Sequence, residues 1–168
     1  MGARPPAPRP ERARRGPGSI DTLPVEIRQL APGEEAAVHA AAALFDDPLD
    51  ARATERFLAE PTHHLLIAYD GERPVGFVSG IEVTHPDKGT EMFLYELAVE
   101  SLARRRGIGR ALVEALAELT RERGCYGMFV LVDDDNDVAL ATYAAAMGKI
   151  ASRPVMIEWE LRTAKRPR

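Results

Sequence analysis

The run Arg104-Arg105-Arg106-Gly107-Ile108-Gly109, followed by Arg110, is the part of this chain whose residue types most clearly suit chemistry. Glycines let the backbone approach a ligand closely and leave successive N–H groups free. A helix that starts there presents unpaired donors carrying a partial positive charge, which suits a pyrophosphate. Arginines add bidentate contacts to oxygen. Three arginines in a row at a helix N-terminus oppose the macrodipole, so the pattern calls for an anion. No Lys-Ser/Thr pair follows the glycines, so the loop is not a P-loop. The Gly-x-Gly-x-x-Gly spacing of a dinucleotide fingerprint is also missing.

A second group is acidic. Asp133, Asp134, Asp135 and Asp137 crowd one turn, and Asp46 and Asp47 lie between two early helical segments. The turn lacks the glycine and terminal glutamate of an EF-hand. Four like charges in one turn repel each other unless a cation is near, so a cation-binding rim is expected. The four histidines show no metal-ligand spacing, and the one cysteine, Cys125, excludes an internal disulfide and fits a reducing cytoplasm.

The elements that must position these groups follow from periodicity. Residues 1–22, rich in Pro, Arg and Gly, read as a disordered basic tail, residues 23–162 as one domain, and 163–168 as a second basic tail. Strands are expected at 25–30, 64–70, 74–85, 90–100, 126–132 and 155–161. Helices are expected at 34–45, 51–60, 107–124 and 138–147. Asp70-Gly71-Glu72-Arg73 reads as a hairpin turn. Three consecutive strands without an intervening helix exclude a doubly wound parallel sheet and imply a mixed α/β (α+β) sandwich, mostly antiparallel.

Net charge is −4, but residues 20–161 hold 25 acidic and 13 basic side chains, and four of the latter are Arg104, Arg105, Arg106 and Arg110. An acidic body with one basic cluster attracts cationic partners, repels nucleic acid over most of its surface, and offers one place for an anion. No apolar run approaches the ~20 residues of a membrane span.

Arg104-x-x-Gly107-x-Gly109, with Tyr95-Glu96-Leu97-Ala98-Val99 before it and a long helix after it, resembles the (Gln/Arg)-x-x-Gly-x-(Gly/Ala) motif of GNAT acetyltransferases over roughly residues 25–161. The wording is most similar to the aminoglycoside 3-N-acetyltransferases. The resemblance implies a GNAT fold and acetyl-CoA as donor. Leu97, Ala98 and Val99 would pair with the pantetheine arm, Arg104, Arg105, Arg106, Gly107, Ile108, Gly109 and Arg110 would hold the pyrophosphate, and Asn136 would reach the pantetheine or ADP portion. Tyr143 matches the family tyrosine near the thioester sulfur. One departure stands near it: Met147 occupies the place where the family usually has Gly, with Gly148 one step later, which bears on the helix end and on the reach of Tyr143.

An amine at neutral pH is an ammonium, so acetyl transfer needs a proton acceptor. Glu96 takes that role here, directly or through water, its apolar neighbours raising its pKa. The expected reaction is direct attack by a primary amine without a covalent intermediate, with an oxyanion held near Val99. Asp46, Asp47, Glu96, Asp133, Asp134 and Asp135 would receive the cationic acceptor, an aminoglycoside at its 3-amino group. A polyamine or peptide acetyltransferase would share the same charge pattern, and a non-catalytic acyl-CoA sensor would share the loop. A homodimer with contacts at the last strand is a further expectation, although Trp159 reads better as core.

Overall fold

The computed structural model describes residues 25–152 together with Met156, Ile157 and Trp159. Both expected tails and most of the expected strand at 155–161 lie outside the described residues. The elements run β1 (Glu26–Gln29), α1 (Glu35–Ala40), α2 (Ala51–Ala59), β2 (His63–Asp70), β3 (Arg73–His85), β4 (Gly89–Val99), α3 (Ile108–Glu122), β5 (Met128–Val130) and α4 (Asp137–Ala145). They form a five-stranded mixed sheet in the order β1-β2-β3-β4-β5, antiparallel except for the parallel β4–β5 pair. That is the mixed α/β sandwich expected.

Two helical layers cover the sheet. On one face Leu66, Val78, Met92 and Leu94 pack against Ile108, Leu112, Val113 and Leu116 of α3. On the other, Leu65, Ile67 and Phe77 pack against Val38, Ala41 and Leu58 from the α1–α2 region. Leu112 and Leu116 are fully buried, and burial of such a side chain contributes about 1.5–3 kcal/mol. The apolar spacing along α3 fixes which of its faces meets the sheet.

Two elements are markedly shorter than the periodicity suggested. The helix expected over 34–45 stops at Ala40 and tightens into a 3-10 turn at Ala42–Leu44. Its Ala-rich stretch has little to bury, since only Val38 in α1 is buried. The last expected turn is instead held by Phe45, whose ring stacks on Phe77 with centroids 4.2 Å apart. The strand expected at 126–132 is confined to Met128–Val130. Trp159 is exposed rather than core, as are Met156 and Ile157, and these three described residues belong to no strand.

The end of α4 accounts for the Met147 departure. Met147 has φ 67°, the left-handed conformation that glycine adopts without penalty. The Gly148 N–H donates to the Tyr143 carbonyl at 2.8 Å and the Met147 N–H to Ala144 at 3.1 Å, the two bonds of a Schellman C-cap. The helix end is therefore not displaced, because methionine takes the glycine conformation at a cost of about 1–2 kcal/mol. Met147 is exposed and packs little. Met147→Gly is expected to raise stability by about 1 kcal/mol, or Tm by roughly 2–4 °C, in thermal unfolding followed by circular dichroism. A lower Tm would show that the methionine side chain is holding something.

Candidate active site

The site is built where β4 outlasts its neighbour. Met92, Phe93 and Leu94 pair in parallel with Met128, Phe129 and Val130. Beyond Leu94, β4 continues to Val99 with only β3 beside it. Among the described residues its outer edge from Tyr95 to Val99 has no strand neighbour, so a run of backbone polar groups is open to an extended ligand. Leu97, Ala98 and Val99, the residues expected to meet a pantetheine arm, lie on this segment, where alternate residues turn their N–H and C=O away from β3. The Val99 carbonyl itself is engaged by Arg104 Nε at 3.1 Å.

A bulge sets the direction of the candidate base. Ser79 is opposite Glu96 while Gly80 is opposite Leu94, so Tyr95 is an extra residue in β4. Met92 and Leu94 face α3, and strict alternation would send Glu96 to the same buried face. After the bulge, Leu97 and Val99 pack on the α3 side and Ala98 packs on the α1–α2 side. Glu96, two residues from Ala98, therefore shares the α1–α2 face. Asp46 belongs to that face too, since it follows Phe45, whose ring rests on Phe77 opposite Ala98.

Glu96 is half-buried, and desolvation pushes its carboxyl pKa up, with the negative charge of Asp46 adding to the rise. Burial likewise pushes up the phenol of Tyr143, a half-buried residue of α4 packed against the α3-side core. Tyr143 thus stays a protonated donor. A carboxylate of raised pKa has the property of a proton acceptor, and a neutral phenol that of a proton donor.

The arginine loop is held locally. Gly107 is the N-cap of α3 at φ 81°, and Arg105 has φ 60°. Ala111 is the first residue whose N–H is bonded back to the turn, at 2.9 Å from the Gly107 carbonyl. The N–H groups of Gly107, Ile108, Gly109 and Arg110 have no acceptor among the described residues, as expected of the first turn of a helix. That cradle fits an anion. Gly109 serves a second purpose: a Cβ there would stand 3.1 Å from Thr142 Cγ2, so its bareness lets α4, and with it Tyr143, lie against the start of α3. Of the arginines, Arg106 is paired with Asp70 (2.7 Å) and Arg110 with Glu114 (2.8 Å), while Arg105 is exposed with no side-chain partner among the described residues.

Asn136 is the N-cap of α4, its Oδ1 accepting from the Ala139 N–H at 3.1 Å. Asp133, Asp134 and Asp135 are exposed beside that same helix N-terminus, where negative charge is favoured by the dipole. The structure pairs Asp46 with Glu96 electrostatically. It shows no hydrogen bond or ion pair joining Asp133–Asp135 to them among the described residues. Asp47 is exposed next to Asp46.

Sequence reasoning missed an aromatic shelf. Phe93 stacks on Phe129 at 5.0 Å and meets Tyr95 edge-on at 5.7 Å. Phe93 lies opposite in phase to Met92 and Leu94, hence on the α1–α2 face with Glu96. Tyr95 is 64% exposed. Phe93 and Tyr95 stand in the sequence, but the stacking of Phe93 on Phe129 needs β4 and β5 in register. Asp70 was also missed, because Asp-Gly reads as turn punctuation.

The raised Glu96 pKa has a consequence for stability. A carboxyl whose folded pKa exceeds its unfolded one costs stability as pH rises through that window, because the folded state must release a proton it holds more tightly. Glu96→Gln removes this titration. The variant should match the parent near pH 4 and exceed it in Tm at pH 8. Equal melting curves at both pH values would count against a strained Glu96.

The acetyltransferase (GNAT) family matches residues 29–148. N-acetyltransferase 8B of Rattus norvegicus is 31% identical over 96 residues, 56% of this chain and 43% of the relative. An L-2,4-diaminobutyric acid acetyltransferase of Nocardia farcinica is 32% identical over 73 residues, 44% of this chain and 37% of that protein. The chain thus spans less than half the length of these two curated relatives. Among solved structures, an aminoglycoside acetyltransferase, meta-AAC0020, from an uncultured soil metagenomic sample in complex with sisomicin has a TM-score of 0.76 at 20% identity, covering 82% of this chain and 97% of that one. Aminoglycoside N-acetyltransferase AAC(6')-Iy in complex with CoA gives 0.69 at 20% identity, with 80% and 94% covered. GNAT acetyltransferases use acetyl-CoA, and the free N–H cradle before α3 and the open edge of β4 suit that donor. The chain belongs to the GNAT acetyltransferase family.

Proposed function

We propose that this chain transfers acetyl from acetyl-CoA to a primary amine of a cationic small molecule, an aminoglycoside at its 3-amino group. The observation that carries the reading is Glu96: a half-buried carboxylate with a raised pKa, turned by a bulge toward Asp46 and away from the α3 core. Acetyl-CoA supplies an acetyl group activated as a thioester. Leu97, Ala98 and Val99 would align its pantetheine arm along the free edge of β4. The N–H groups of Gly107–Arg110 and the guanidinium of Arg105 would hold its pyrophosphate.

On the acceptor side, Asp46 and Asp47 attract the ammonium, and Glu96 accepts its proton so that nitrogen becomes nucleophilic. Tyr143, kept protonated by burial, donates toward the departing sulfur. The aromatic shelf of half-buried Phe93 with exposed Tyr95 and Phe129 offers a flat wall for the ring carrying the amine and π-faces for its neighbouring charges. The regiochemistry rests on the sequence resemblance, while the neighbour with a stated position is of the 6' type. Acidic side chains and an aromatic wall equally suit a diamine, which the diaminobutyrate relatives bring into the acceptor panel. Retention of Glu96, Tyr143 and the whole arginine–glycine loop supports catalysis over mere acyl-CoA sensing.

Release of free thiol from acetyl-CoA should be measured with sisomicin, spermidine, L-2,4-diaminobutyrate and a basic peptide, and the product position read by NMR. Turnover is expected with the aminoglycoside and acetylation at its 3-amino group. Glu96→Gln should lower kcat by about 10²-fold or more and Tyr143→Phe by roughly tenfold to 10²-fold, both binding acetyl-CoA within a few-fold of the parent. Full activity in both variants would remove them from the mechanism. Binding without thiol release from any acceptor would favour the sensor.

Activity with the parent protein should fall as pH drops through the Glu96 pKa, which lies above the ordinary carboxylate range. The acidic limb of kcat/KM is accordingly expected at higher pH than for a free glutamate. A limb at the ordinary carboxylate value would place the proton acceptor elsewhere.

A further inference from the structure

The loop between β4 and α3 places two residues of the left-handed region, Arg105 and Gly107, on either side of Arg106. Backbone bonds from the Ala103 N–H to Glu100 and from the Arg104 N–H to Ser101 tie the first half of this loop. The N–H groups from Arg105 to Arg110 have no acceptor among the described residues, so the second half depends on side-chain contacts to grip it. Three contacts do so. Arg104 Nε donates to the Val99 carbonyl at 3.1 Å. Arg106 Nη1 donates to Asp70 Oδ2 at 2.7 Å, with both side chains less than a third exposed. Arg73 Nη1 donates to Glu100 Oε2 at 2.7 Å. Asp70 and Arg73 are the two ends of the β2–β3 turn, so a single hairpin tip holds the loop near its start and near its end.

We propose that Asp70 is a positioning residue for the pyrophosphate cradle. By holding Arg106 it fixes the backbone between Arg105 and Gly107, so that the N–H groups of Gly107–Arg110 converge and the Arg105 guanidinium is the one presented to phosphate oxygens. The three arginines then divide: Arg104 and Arg106 pin the loop, and Arg105 binds. This rests on the reading that acetyl-CoA occupies the loop. The competing arrangement, in which Arg106 is itself a ligand that Asp70 withholds, predicts the opposite response to loss of the carboxylate.

Isothermal titration with acetyl-CoA on the full chain separates these cases, with S-acetylpantetheine, which lacks the pyrophosphate, as the second probe. Asp70→Asn is expected to weaken acetyl-CoA binding by about tenfold, the loss of roughly one charge-assisted hydrogen bond, and to leave S-acetylpantetheine binding unchanged. Asp70→Glu should recover most of the affinity. The double variant Asp70→Asn/Arg106→Gln should bind no more weakly than Arg106→Gln alone, because the pair acts as one unit. Unchanged or tighter acetyl-CoA binding by Asp70→Asn overturns the proposal, as does equal loss of both probes, which would mean general damage to the fold. Failure of the parent to bind acetyl-CoA would overturn the acetyl-CoA reading itself, and this inference with it.

Discussion

The site depends on one constraint in the sheet: β4 is longer than the strand beside it. Parallel pairing with β5 covers three residues and ends at Leu94, while antiparallel pairing with β3 runs on to Val99. Backbone donors and acceptors that lose a neighbouring strand must find other partners or remain open to solvent and ligand. One of them, the Val99 carbonyl, is taken by Arg104. The others form an edge that an extended amide-bearing ligand can complete in the manner of an added strand. The same parting sends β4 toward α3 and β5 toward α4, so the loop at 104–110 and Tyr143 arrive from different elements at neighbouring places.

Charge is sorted around that edge. The body is acidic, yet the loop before α3 concentrates arginine. Two of those arginines are occupied by carboxylates, Arg106 by Asp70 and Arg110 by Glu114. Exposed ion pairs of this kind add little to stability, and the better-shielded Arg106–Asp70 contact matters for geometry more than for energy. On the α1–α2 face the arrangement is reversed. Glu96 sits partly out of water and close enough to Asp46 to feel its charge, which makes it a stronger base than a surface glutamate and makes the place attractive to a cation. Packing supplies this proximity, since Phe45 on Phe77 fixes where the chain enters the Asp46–Asp47 segment.

Much was legible in the residues themselves. The start of α3 at the arginine–glycine run and the apolar period that buries Leu112 and Leu116 were both there to read. The Asp-Gly turn between β2 and β3 and the absence of a helix among β2, β3 and β4 were enough to set an antiparallel core. The α1 helix and β5 came out shorter than expected because Ala-rich and apolar runs register composition, whereas their ends are decided by what is available to pack against. Asn136 shows the same limit. Its type suits a ligand contact or a helix cap, and the fold commits its side-chain oxygen to the Ala139 N–H.

Residue types and spacing supplied the groups themselves: arginines and glycines before a long helix, a glutamate on the central strand, a tyrosine in the following helix, and clustered carboxylates. Tertiary structure alone decided how they face. Alternation through Met92 and Leu94 would have turned Glu96 under α3. The extra residue Tyr95 reverses the phase and brings Glu96 to the side of Asp46. A bulge leaves almost no trace in composition or periodicity, because it is a property of two strands in register and one strand cannot reveal it. The same holds for Asp70, an ordinary turn residue until β2–β3 folds against the loop and its carboxylate meets Arg106 across 36 positions of chain. It holds equally for Met147, whose left-handed backbone is imposed by the close of α4 despite a side chain that disfavours it.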